Sequence, residues 1–171
     1  MKKIITLLSV IGLLVLSGCT GPQGPAGFDG LNGTNGLTSQ AFEATVSFNG
    51  NNNYTKSLFF DSPLYSSDVV LVYHLYKVVN GTDVWRPVPQ TYYLDNGDEV
   101  DYNFDFTTKA VTIFMGANFN LNLIPSGWTQ NQTFRVVMVP AYFAASVNTN
   151  NYLAVMAALN KTDSEITKVE F

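Results

Sequence analysis

The sequence predicts an all-β fold: an antiparallel β-sandwich of the jelly-roll or immunoglobulin kind, with one short helix near the C-terminus, behind an extended Gly-X-Y stalk. Three observations predict it. Apolar residues recur with a period of two from Gln40 onward, Asn-Gly pairs fall between the apolar runs, and glycine occupies every third position from 21 to 36.

The strands follow in order. Phe42, Ala44, Val46 and Phe48 alternate with Glu43, Thr45 and Ser47, the pattern of a half-buried strand. Asn49 to Asn53 is a turn cluster, Tyr54 to Phe60 resumes, and Asp61-Ser62-Pro63 breaks the chain. Asp68 to Val79 is apolar on both faces, as a central strand requires. Asn80-Gly81 and Asn96-Gly97 each supply the two positive-φ positions of a type I′ hairpin turn. Between Glu99 and Thr107, residues Val100, Tyr102, Phe104 and Phe106 face one way and Glu99, Asp101, Asn103, Asp105 and Thr107 the other. Lys109 to Met115, Thr133 to Val139 and a run marked by Thr167, Val169 and Phe171 complete the set. One stretch breaks the period: Tyr152, Val155, Met156 and Leu159 fall at helical spacing, with Asn150 or Asn151 available as the cap.

The chain divides into residues 1–18, 19–37 and 38–171. Lys2 and Lys3 precede an apolar run to Leu16, which is too short to span a bilayer comfortably and has the make-up of an export signal. It ends in Leu16-Ser17-Gly18-Cys19, which resembles the lipobox of bacterial lipoproteins, so residues 1–18 are the expected signal peptide. The resemblance implies that Cys19 is acylated and becomes the first residue of the mature chain. Cleavage there removes two basic residues and no acids, taking the net charge from −4 to −6. So acidic a chain is a poor partner for nucleic acid or for anionic lipid surfaces. Membrane attachment then rests on the acyl chains at Cys19, in an outer-membrane protein facing the periplasm or the cell surface. Thr20 is not the aspartate that retains some lipoproteins in the inner membrane.

Cys19 is the only cysteine, so no internal disulfide forms and stability must come from burial. Twelve Phe, nine Tyr and two Trp supply it, in a chain with 13% charged residues against an average of about 25%. That apolar mass is enough for one core after residue 38 and argues against disorder there.

The glycines at 21, 24, 27, 30, 33 and 36 carry the collagen period, in which only glycine fits the axis of three packed polyproline-II chains. Proline is limited to Pro22 and Pro25, and none of the Y positions from Gln23 to Asn35 holds one. As a single-chain spacer, Thr20 to Leu37 reaches about 55 Å at most. A homotrimer through Gly21 to Leu37 is the sharper alternative, which clustering on a membrane would favour.

Groups with chemical capacity are few. His74 is the lone histidine and sits mid-strand among apolar neighbours, where a packed, hydrogen-bonded role is expected rather than a catalytic one. Asp95, Asn96 and Asp98 could gather oxygens around calcium at one turn. Asp101 and Asp105, about 13 Å apart along a strand, could not share an ion with each other. A carboxylate-only hydrolase would need two of Asp95, Asp98, Glu99 and Asp101 together in a pocket. Trp85, Trp128, Tyr92 and Tyr93 are candidates for stacking on a glycan. No nucleophile–base set or phosphate-cradling loop emerges, so the sequence points to a non-enzyme without a cofactor.

The stretches Asp83-Val84-Trp85-Arg86 to Asp95-Asn96-Gly97, Tyr102-Asn103-Phe104-Asp105-Phe106, and Gln130 to Arg135 before Val139-Pro140-Ala141 join the lipobox and the Gly-X-Y run. Together they resemble a group of collagen-like-repeat lipoproteins of Gram-negative bacteria. That resemblance brings no catalytic residues with it; the spacer that projects the domain and its polar, asparagine-rich surface point to a tethered structural or interaction module. The alternatives are an accessory glycan binder, a partner of another envelope protein, and a collagen-like trimeric surface adhesin.

Overall fold

The computed structural model describes residues 39–170. The expected signal peptide, the lipidation site at Cys19, the glycine run and Phe171 lie outside the described residues.

Nine strands form two sheets among the described residues. The larger sheet holds β1 (Gln40–Val46), β3 (Asp68–Val79), β4 (Thr82–Pro87), β8 (Gln132–Pro140) and β9 (Thr167–Glu170), in the order β4-β3-β8-β1-β9. The smaller holds β2 (Thr55–Phe59), β5 (Gln90–Tyr93), β6 (Glu99–Phe106) and β7 (Ala110–Ala117), in the order β2-β7-β6-β5. Neighbours pair antiparallel except β9, which runs parallel to β1. The protein is therefore an all-β sandwich, as the period of two predicts.

The two hairpins differ in their turns. Between β3 and β4, Asn80 and Gly81 have φ of 50° and 77°, and Val79 pairs with Thr82, which is the type I′ turn. Between β5 and β6, only Gly97 has positive φ, at 85°. Its N–H donates to the Leu94 carbonyl at 3.1 Å, and the Leu94 N–H donates to Asp98 at 2.9 Å. That is a three-residue loop ending in a left-handed glycine, so the hairpin forms as expected but with a different turn.

The inner faces of the sheets meet in one core. Ala44, Val46, Val70, Val72, Phe134 and Val136 of the larger sheet pack on Leu58, Val100, Tyr102, Val111 and Ile113 of the smaller. Phe106, expected in this core by alternation, is 43% exposed at the end of β6.

Sheet alternation alone leaves Glu43 facing solvent, and here a third layer changes the outcome. Two helices, α1 (Ala141–Ser146) and α2 (Tyr152–Ala158), follow β8, where the sequence predicts one. The additional helix, α1, is six residues long, too short for a readable helical period. Asn151 caps α2, its side-chain oxygen accepting from the Ala154 N–H at 3.2 Å. Tyr152, Val155 and Met156 bury against Tyr73, Val137 and Val139 on the outer face of the larger sheet. Ile166, just before β9, closes the same cluster. This third layer makes β8 the central element, buried continuously from Phe134 to Pro140.

Arg135 lies in that run and is 1% exposed. It stands directly opposite Glu43 across the β1–β8 ladder, and Nη2 donates to Glu43 Oε2 at 2.5 Å. Nη1 donates to Asp163 Oδ1 at 2.5 Å and to the Tyr152 hydroxyl. Its guanidinium also lies 4.2 Å from the centre of the Trp85 ring. Burial pulls the Arg135 pKa down, but its bonds to Glu43 and Asp163 outweigh that and the net shift is upward. The charge is thus held by partners, which is what a buried ion needs.

Removing one partner strands the other. Arg135→Met is expected to cost about 3–5 kcal/mol in urea unfolding, whereas the pair Arg135→Met with Glu43→Leu recovers most of that loss. Equal stability of the single and double variants would contradict the pairing.

Candidate functional site

The most elaborate polar constellation inside the sandwich centres on His74. Its place on the even-numbered, inward face of β3 puts it among the aromatic rings of Tyr102, at 4.5 Å, and Phe134, at 5.0 Å. Gln132, on neighbouring β8, donates its amide hydrogens to the carbonyls of Gly127 at 2.9 Å and Gln130 at 2.7 Å. Its Oε1 is therefore left as an acceptor, 3.1 Å from His74 Nε2. Nε2 must carry the proton, so Nδ1 accepts from the Tyr92 hydroxyl at 3.0 Å. Tyr102 completes the set by donating to the Trp128 carbonyl at 2.5 Å.

Both imidazole nitrogens are thereby committed to neighbours, and the ring is 4% exposed. Burial pushes its pKa down to about 4, the nearby Arg86 charge adding to the fall and the Gln132 bond opposing it. A neutral imidazole with both nitrogens engaged has no free lone pair for a substrate or a metal. It is a packed histidine.

Toward the surface the cluster becomes a stack. Tyr76 lies on Tyr92 with centroids 5.7 Å apart and planes 20° apart, and the Arg86 guanidinium sits 3.5 Å from the Tyr76 ring centre. Arg86 stands opposite His74 in the β3–β4 ladder, which puts it on this same face. Burial raises the Tyr92 pKa, and Arg86 offsets part of that rise.

The four glycan-stacking candidates do not share one groove. Trp128 and Tyr92 touch edge-on at 5.1 Å, within the inner cluster. Trp85 packs on Tyr152 and Arg135, on the opposite face of the larger sheet. Both tryptophans are half-buried. Tyr93 is 78% exposed, with the opposite orientation along β5 from the buried Tyr92.

At the β5–β6 turn, Asn96 Nδ2 donates to Asp98 Oδ2 at 2.7 Å, and Asn96 Oδ1 accepts from the Asp98 N–H at 3.2 Å. These oxygens serve the turn itself, while Asp95 at the tip is exposed. Among the described residues no three of His, Cys, Asp and Glu come together as a metal cluster. Asp101 lies over Gly116 across the ladder, where a Cβ would come 2.5 Å from its carboxylate. Glu99 is exposed, its N–H held by Asn118 at 2.8 Å.

Sequence reasoning passed over two features. One is Arg135, whose signal is a lone charge inside an otherwise apolar strand, with Glu43 as its cross-strand match. The other is a groove of about 620 Å³ between the free edges of β2 and β9, lined in part by Phe42, Leu58, Phe60 and Val169. None of Asp95, Asp98, Glu99 and Asp101 lines it. Its residues come from stretches far apart along the chain, so no local motif announces it.

No family model, no curated protein and no solved structure matches this chain.

The buried His74 makes stability pH-dependent. Its pKa is lower in the folded state than the ordinary 6.5, so the unfolded chain takes up the proton first. Stability is complete above pH 6.5 and falls by up to about 3 kcal/mol as pH drops toward 4. Urea unfolding of wild type and His74→Gln across this window checks it: the variant is expected to be weaker at pH 7 and flatter below. An unchanged slope would show that another group carries the effect.

Proposed function

We propose that this protein is a lipid-anchored cell-envelope lipoprotein whose β domain serves as a structural or interaction module rather than an enzyme. The single observation carrying this reading is the string Leu16-Ser17-Gly18-Cys19 at the end of a short apolar run with two lysines at its start. The glycine-repeat segment to Leu37 then separates the anchor from the domain.

The domain's own chemistry supports the second half of the reading. Its histidine and its most buried arginine are engaged with neighbouring side chains and contribute to packing. The three half-buried or exposed aromatics Trp85, Trp128 and Tyr93 occupy separate places, which favours a module that binds through surface shape over one that stacks on a sugar chain. The anchor directs the protein to the outer membrane, on its periplasmic or its exterior face.

Cys19→Ser is expected to block acylation and processing, so that the variant takes up no labelled fatty acid and keeps residues 1–18. A variant that is cleaved and labelled as the wild type is would overturn the lipoprotein assignment.

A further inference from the structure

We infer that the mouth of the groove between β2 and β9 is a contact surface between copies of this chain, and that three copies meet there. The inference rests on the reading of residues 21–37 as a collagen-like run, and goes beyond it by naming the surface that completes the assembly.

The first argument is chain length. The glycine repeat reaches Leu37, and β1 begins at Gln40. Three residue steps span at most about 11 Å. Three chains wound together through their glycines therefore deliver their Gln40 residues close to one axis. Ser39 and Gln40 themselves line the groove. The surface around them is the part of each domain that first meets its copies.

The second argument is the weakness of the repeat. Its six glycines give few interchain hydrogen bonds, and no proline at the Y positions stiffens the chains. Such a segment holds three chains only with help from another contact, and membrane tethering raises the local concentration without choosing a geometry. The groove supplies what is missing. Part of its wall is apolar, with Phe42, Leu58, Phe60 and Val169, and Phe59 at its lip is 78% exposed.

The third argument is charge. Lys161 lies on the β9 side of the groove and the exposed Asp61 on the β2 side. In a three-fold ring each contact is head-to-tail, joining unlike surfaces of neighbouring copies. A base on one side and an acid on the other fit that arrangement, Lys161 of one copy facing Asp61 of the next. Glu165, also in the groove, is bound to its own helix cap through the Thr162 N–H at 2.7 Å and the Thr162 hydroxyl at 2.8 Å. It is thus a weaker partner than Asp61.

Cross-linking of the lipidated protein in its own membranes tests this. With Cys19 acylated, membranes carrying Phe59→Cys copies alongside Lys161→Cys copies hold one free thiol per chain, and a short bis-maleimide is expected to give a covalent dimer of one Phe59→Cys and one Lys161→Cys copy. Leu153→Cys in place of Lys161→Cys is the control: it is 73% exposed on α2, which packs near β4, the sheet edge opposite β9. This control is expected to give at least ten-fold less dimer. In detergent-solubilised protein, sedimentation is expected to show trimers that Phe59→Glu lowers at least ten-fold, with the far-ultraviolet spectrum unchanged. Equal cross-linking at both positions would overturn the inference, as would monomers in the wild type. Trimers that survive Phe59→Glu but dissolve on Gly27→Ala with Gly30→Ala would overturn the surface and leave the collagen-like run standing. Membrane fractionation of the same samples reports separately on the anchor.

Discussion

The guanidinium of Arg135 is the constraint on which the third layer depends. A charge buried in the central strand is tolerated only because three elements converge on it: Glu43 from β1, Tyr152 from α2 and Asp163 from the 3-10 turn before β9. Without them its desolvation would be uncompensated. Without Arg135, in turn, Glu43 would keep only Lys168, whose ammonium is 3.1 Å away on an exposed side chain. The bond from Arg135 also holds the Asp163 carboxyl below its usual pKa. Protonation at low pH therefore loosens this clamp from its solvent side.

Strand β8 carries both polar clusters, one on each face. Gln132 and Phe134 point inward to His74, and Arg135, the residue after Phe134, points outward. The inner cluster joins the two sheets, since His74 and Gln132 belong to the larger and Tyr92 and Tyr102 to the smaller. The outer cluster joins the larger sheet to the C-terminal helices. Each face thus combines non-directional apolar burial with a few bonds that accept only one geometry, which fixes the register of β1, β3 and β8.

Much of this fold is legible in the sequence, for identifiable reasons. Asp68 to Val79 reads as a strand with its observed bounds because turn residues flank it and apolar residues fill both faces. The Asn80-Gly81 turn is read from its residues alone, since φ is positive at both positions. The same pair at Asn96-Gly97 marks the right place with another turn, because loop length is decided by the pairing of Leu94 with Asp98. Glu43 misleads because alternation reports which face a residue is on and not what covers that face. Its partner Arg135 lies 92 residues along the chain, and Tyr152 and Asp163, which bond Arg135 in turn, lie farther still. The groove near Ser39 escapes for the same reason, while His74 reads correctly because its immediate neighbours are apolar.

Amide hydrogen exchange on native protein and on the Arg135→Met variant measures the clamp most directly. If Arg135 holds the third layer in place, protection is lost first and most in α2 and in β9, while β6 and β7 of the smaller sheet keep theirs. A uniform loss of protection across all strands, or none in α2 and β9, would contradict the account.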